Sequence, residues 1–176
     1  GMSETYASYA SARGSGNWAE GHALTSGTVT PIPTTELPPP LAAAGGLTSS
    51  AADLGPWIQF QLGGRGIGTP QGVVDSVLRN IQRPQVLLGS LYQATFRAPS
   101  SVVGYGHGWV VYEDRGHRVL EHAGAWQGYT SFIALLPDDN VGFALLANLR
   151  QGAALEELRR LRTALVRALA APSASK

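Results

Sequence analysis

Few side chains in this sequence are equipped for chemistry. His107, His117 and His122 fall in one stretch, and three imidazoles close in sequence raise the question of a metal centre. Their spacing matches no known ligand pattern, so no metal is expected. His107 and His117 sit near strand ends and read as polar surface or turn residues. His122, taken alone, reads as a strand histidine without a chemical role. Cysteine is absent, which excludes disulfides, thiolate catalysis and Cys-based metal sites. The Lys and Arg residues number 13, and all but Lys176 are arginine, so lysine chemistry has a single address. Nothing implies a cofactor.

The elements that would position these groups follow from periodicity. Residues 1–48 are rich in Thr, Ser, Gly and Pro without a sustained period, and read as a loop-rich segment with Trp18 and Leu24 as anchors. Residues 49–104 form a helical region. Ser50 and Asp53 make a capping box ahead of Leu54, Trp57, Ile58 and Leu62, with Pro56 implying a kink or a late start. A second helix is predicted from a Thr69 cap and Pro70 at its first position, with Val74, Val77, Leu78 and Ile81 on its apolar face. Residues 105–171 switch to strand periodicity. Four runs, Gly108 to Tyr112, Arg118 to His122, Tyr129 to Leu136 and Val141 to Leu149, are separated by compact turns and should pair antiparallel. A last helix carries Leu155, Leu158, Leu161, Leu165 and Leu169 on one face, with Glu156 four residues before Arg160. Residues 172–176 form a frayed tail after Pro172. The fold class is α+β, an antiparallel sheet flanked by helices, with Tyr105 and Trp109 as packing residues.

Composition supports one apolar core and excludes several functions. Of 176 residues, 44% are apolar and 14% charged, and the net charge is +1. That balance gives no electrostatic case for nucleic acid or an anionic membrane surface. No run is long enough for a transmembrane helix, and no signal peptide opens the sequence.

Several stretches, in order, resemble the serine β-lactamase-like family of penicillin-recognising hydrolases, in its class C β-lactamase, D-aminopeptidase and family VIII esterase branch. Gly1-Met2-Ser3-Glu4-Thr5 is similar to "LGM-x-x-T", and Ala44 to Leu54 to "AGGL-x-S-x-x-DL". Tyr105-Gly106-His107-Gly108-Trp109 resembles "YG-x-GW". His122-Ala123-Gly124, Gly128 to Ser131, Leu136-Pro137-Asp138 and Ala147-Asn148-Leu149 follow the family's closing strands. The use of arginine in place of lysine suggests a GC-rich bacterial genome, and the resemblance implies a hydrolase that acylates a serine from an S-x-x-K motif, assisted by a tyrosine and an oxyanion hole. Its substrates would be small-molecule esters, D-amino-acid peptides or β-lactams. A periplasmic or secreted location would fit it.

Only the third motif carries over. His122, Ala123 and Gly124 stand where Lys-Thr-Gly or His-x-Gly belongs, Ala125 would offer an oxyanion-hole N–H, and Trp126 and Gln127 would form the cleft rim. Histidine in place of lysine shifts weight from β-lactamase towards peptidase or esterase. The one S-x-x-K, Ser173 to Lys176, follows the helix-ending Pro172 and lacks a helix to hold it. Tyr6-Ala7-Ser8 and Tyr9-Ala10-Ser11 lie on the wrong side of the Gly-Met signature to serve as the second motif. The nucleophile pair is therefore expected upstream of this sequence, and the chain alone should be inactive. A non-catalytic binding or regulatory module of the same fold is the alternative. The Val141 to Leu149 strand is expected to expose an edge through which copies self-associate.

Overall fold

The structure is a computed structural model and describes residues 1–64, 70–88, 103–150 and 153–170, without the side chains of 150, 153 and 154. Thr69, the Ser173–Lys176 motif and Pro172 lie outside the described residues. The chain is α+β. In order come α1 (Tyr9–Gly14), β1 (His22–Thr25), β2 (Thr28–Pro31), α2 (Pro39–Gly45), α3 (Ala51–Gln61), α4 (Gln71–Ile81), β3 (Val86–Leu88), β4 (Val103–Tyr105), β5 (Val110–Asp114), β6 (His117–Trp126), β7 (Tyr129–Leu136), β8 (Val141–Ala147), β9 (Leu149–Arg150) and α5 (Ala153–Leu169). A six-stranded sheet runs β3-β4-β5-β6-β7-β8, and a three-stranded one runs β2-β1-β9. The backbone clusters into two compact units: one of Gly1–Trp57, Ala123–Phe132 and Ala144–Arg162, the other of Ile58–His122, Ile133–Phe143 and Thr163–Lys176.

The second unit holds an aliphatic core. Val103, Val110, Tyr112, Val119 and Val166 form one buried cluster, with Leu88, Tyr105 and Phe143 packed against it. The last helix thus covers the strands as its apolar stripe requires, although the stripe is rotated from the predicted one. Val166 is buried while Leu161 is 46% exposed. The charged pairs shift too: Glu156 meets Arg159 at 2.7 Å and Glu157 meets Arg160 at 2.6 Å, both three residues apart and not the expected four. In α4 Val74 and Leu78 are buried, but Val77 is exposed, and Pro70 occupies the cap and not the first helical position.

Two glycines in the Tyr105–Trp109 stretch answer to backbone geometry. Gly108 has φ of 85°, and a Cβ on Gly106 would stand 2.6 Å from the Ile81 carbonyl oxygen and 2.7 Å from that of Arg83. The loop after α4 therefore lies directly against Gly106, held by the bond from His107 N to Ile81 O. Trp109 is buried, as a packing residue should be.

The first unit contains more regular structure than its composition announces. β1 and β2 form a hairpin closed by Ser26 and Gly27, with φ of 50° and 82°, the double left-handed turn that matches strand twist. β1 also pairs in parallel with β9, His22 opposite Leu149. Where β1 begins, two backbones nearly touch. A Cβ on Gly128 would lie 2.7 Å from Gly21 Cα, and His22 N donates to Gly128 O at 3.2 Å.

The capping box forms by half. Asp53 N donates to Ser50 Oγ at 3.1 Å, as the motif requires. The Asp53 carboxylate, however, does not turn back to the cap. Its Oδ2 accepts from Glu4 N at 2.7 Å and from Thr5 Oγ1 at 2.8 Å, and Thr5 Oγ1 also shares a hydrogen bond with Ser49 Oγ. An acid three residues after a serine is placed to close a box, but here two donors from a distant segment take it instead.

Candidate active-site cleft

β6 is long because its two halves have different neighbours. The ladder with β5 runs from Asp114 opposite His117 to Val110 opposite Glu121 and includes no residue beyond Glu121. Ala123 to Trp126 continue past it and line a cavity of about 740 Å³ within the first unit. That volume falls in the range of small-molecule sites. Tyr6, Tyr9 and Trp18 from the N-terminal segment, Thr48, Ser49 and Ser50 before α3, and Tyr129, Thr130 and Ser131 on β7 complete much of the wall.

Aromatic contacts shape one side. Trp18 meets Tyr129 edge-on with ring centroids 5.8 Å apart, and Tyr9 at 6.3 Å. Tyr9 is buried, and its hydroxyl donates to Gly45 O at 3.4 Å. Burial pushes the Tyr9 phenol above its ordinary value, and the Glu36 carboxylate and the Tyr129 phenol add to that. Tyr129 in turn donates to Ala19 O at 2.8 Å. Trp18, taken from sequence as an anchor, therefore fastens its segment to β7.

The residues singled out from sequence are placed as follows. Ala123, Gly124, Ala125 and Trp126 border the cavity. Trp126 Nε1 donates to Thr35 O, which ties the strand end to the loop before α2. Gln127 is absent from the cavity wall among the described residues. Its Oε1 accepts from Thr35 N at 2.6 Å and Thr35 Oγ1 at 3.0 Å, so it clamps that loop and does not form a rim. His122 is half-buried with Nε2 3.3 Å from Tyr105 OH, and it is likewise not among the lining residues. Gly124 has a cause inside the sheet: a Cβ there would stand 2.5 Å from Ser131 Oγ.

The remaining histidines have separate surroundings. His107 is exposed, whereas His117 is not a surface turn residue: its Nδ1 lies 2.9 Å from Asp139 Oδ2, and both side chains are largely buried. Among the described residues no group of three His, Cys, Asp or Glu side chains could hold a metal ion. Sequence reasoning missed the carboxylate of Glu121, which is 3% exposed and accepts from Tyr112 OH at 2.9 Å. It also missed the cavity role of Tyr6 and Tyr9, which no periodic signal marks.

A family model described as Beta-lactamase matches residues 1–168. No curated protein matches the chain. Among solved structures, an octameric penicillin-binding protein homologue from Pyrococcus abyssi is 20% identical with a TM-score of 0.71, over 94% of this chain and 34% of that one. A class C β-lactamase from Rhodobacter sphaeroides is 18% identical with a TM-score of 0.68, over 94% of this chain and 50% of that one. A β-lactamase/D-alanine carboxypeptidase from Pseudomonas syringae is 16% identical with a TM-score of 0.69, over 98% of this chain and 50% of that one. The chain thus spans half or less of the length of these structures. Among the described residues no helix is long and apolar enough to cross a membrane.

Proposed function

The chain belongs to the Beta-lactamase family, matched over residues 1–168, and from that premise we propose that it is the cleft-wall portion of a serine hydrolase that works through an acyl-enzyme on esters, D-amino-acid peptides or β-lactams. The observation that carries this reading is the run of Ala123 to Trp126 along the cavity, past the last β5–β6 pair. A strand end free of one ladder presents backbone N–H groups to a ligand, and the Ala125 N–H supplies one oxyanion donor. His122, Ala123 and Gly124 serve as the third motif, with His122 held by Tyr105.

The chemistry also needs a nucleophile with a base in reach. Lys176 is the sole lysine, and Ser173 to Lys176 the sole S-x-x-K. Among the described residues, the cavity wall contains serines but no lysine or histidine beside them. The catalytic serine and its lysine therefore come from sequence outside these residues. The test is incubation of the chain with a chromogenic cephalosporin, a p-nitrophenyl ester and a D-alanyl anilide, followed by intact-mass measurement. No adduct is expected from this chain, and an acyl adduct is expected from a chain extended upstream. In the extended enzyme Ala125→Pro, which deletes the N–H, should lower kcat by about a hundredfold or more. A stoichiometric adduct here, abolished by Lys176→Ala, would overturn the assignment.

A further inference from the structure

The charge of the cavity narrows the substrate class. Glu4 is the one carboxylate on its wall among the described residues, and neither Arg nor Lys lines it. Glu4 Oε2 is approached by Tyr6 OH at 3.3 Å and Asn17 Nδ2 at 3.4 Å, both neutral and both long contacts. A second carboxylate stands close by: Glu36 accepts from Ala10 N and raises the electrostatic cost of ionising Tyr9. Arg13 lies over the Trp18 ring at 5.1 Å and is not among the residues that line the cavity. Electron-rich rings of Tyr6, Tyr9 and Trp18 stand on the same wall.

We propose that this cavity selects an apolar ligand bearing a free ammonium group and rejects one bearing a carboxylate, with Glu4 as the specificity-determining residue. The inference rests on the hydrolase reading and sharpens it: the substrate is an ester or amide of an amino compound. Two physical terms act together. An ammonium beside Glu4 gains from an uncompensated carboxylate, and aromatic faces attract cations further. A carboxylate in the same place meets like charge, and among the described residues no Arg or Lys lines the wall to offset it.

Glu4 can be altered without dismantling its surroundings. Its backbone N–H, and not its side chain, donates to Asp53. Glu4→Gln therefore removes charge and keeps the clamp, and a thermal melt against the parent chain verifies the fold.

The experiment titrates the full chain with 4-phenylbutylamine, 4-phenylbutanol and 4-phenylbutyrate, read by intrinsic fluorescence, since Trp18 and Trp126 both line the cavity. The amine should bind about fivefold more tightly than the alcohol, and the carboxylate most weakly. Glu4→Gln should bring the amine-to-alcohol ratio to about one and leave the alcohol unchanged, whereas Glu4→Asp should retain part of the preference. Binding of none of the three overturns the proposal, as does an amine preference that survives Glu4→Gln. Preferential binding of the carboxylate, lost in Arg13→Gln, would assign recognition to Arg13 and overturn it too. Because binding needs no nucleophile, none of these outcomes decides the hydrolase reading, which stands or falls on the adduct measurement.

Discussion

Replacing Asp53 by alanine should be among the costliest single changes in the first unit. Asp53 is 6% exposed, and its Oδ2 accepts two hydrogen bonds, from Glu4 N at 2.7 Å and Thr5 Oγ1 at 2.8 Å. A hydrogen bond to a charged group contributes about 1.5–3 kcal/mol, so the pair has an upper range of about 3–6. Glu4 and Thr5 are only half-buried, and water reaching their orphaned donors in the variant reduces the loss. The negative charge in the first turn of α3 adds a few tenths of a kcal/mol. A loss of about 2–4 kcal/mol is expected, and with it a fall in Tm of roughly 5–12 °C. Asp53→Asn keeps an oxygen acceptor and should cost about 1–2 kcal/mol, and Thr5→Val about 1 kcal/mol. The decisive quantity is the double-mutant coupling. Once Asp53 is alanine, Thr5→Val should cost almost nothing, a coupling of about 1 kcal/mol. Urea unfolding followed by far-UV circular dichroism measures all four proteins. A loss in Asp53→Ala below about 0.5 kcal/mol, or strictly additive single changes, would refute the clamp.

Three further outcomes follow from close approaches and from burial. Gly124→Ala should destabilise by about 1–3 kcal/mol because its Cβ meets Ser131 Oγ at 2.5 Å, and Ser131→Ala should recover part of that loss in the same urea assay. Gly106→Ala meets two backbone carbonyls and has no such rescue, so about 2–4 kcal/mol should go and no side-chain deletion should restore it. Tyr9 holds its proton to higher pH in the folded chain than the ordinary value of 10.0, first because it is buried and then because of Glu36 and Tyr129. Its contribution is complete below that ordinary value and drains away as pH rises through the folded one, so Tyr9→Phe should show a shallower alkaline loss of stability in urea melts between pH 9 and 12.

The sheet was legible because continuous apolar runs between turn residues mark strands, even though β8 is only partly buried, with Leu146 44% exposed. Phe132 to Leu136 and Phe143 to Leu146 could hardly be anything else, and they lie in β7 and β8. The β1–β2 hairpin carried a weaker signal, Ser26-Gly27 between short polar strands that bury little. In α5 the leucine stripe marked the helix but not its orientation, since Arg162 and Val166 took the buried positions and Leu161 did not. At the cavity, order and spacing singled out Ala123 to Trp126, which line it, together with His122 and Gln127, which do not. The clamp from Glu4 N to Asp53 could not be read, because its two ends lie nearly fifty residues apart, a distance no local pattern encodes.

The contact between Gly21 and Gly128 has a consequence for how far this cavity can be altered. With a Cβ on Gly128 only 2.7 Å from Gly21 Cα, and His22 N bonded to Gly128 O, the β6–β7 turn meets the start of β1 main chain to main chain, beside the Tyr129 hydroxyl's bond to Ala19 O. A frame secured partly by main chain leaves the cavity side chains that take no part in it open to exchange. Leu41, Leu47 and Leu146, which are exposed on that wall, can be traded for residues of other shapes while the two backbones keep their grip. Neither glycine has that latitude: a methyl group at either position would push the strands apart. The same scaffold can thus be re-lined for different ligands at the cost of two positions that must stay bare.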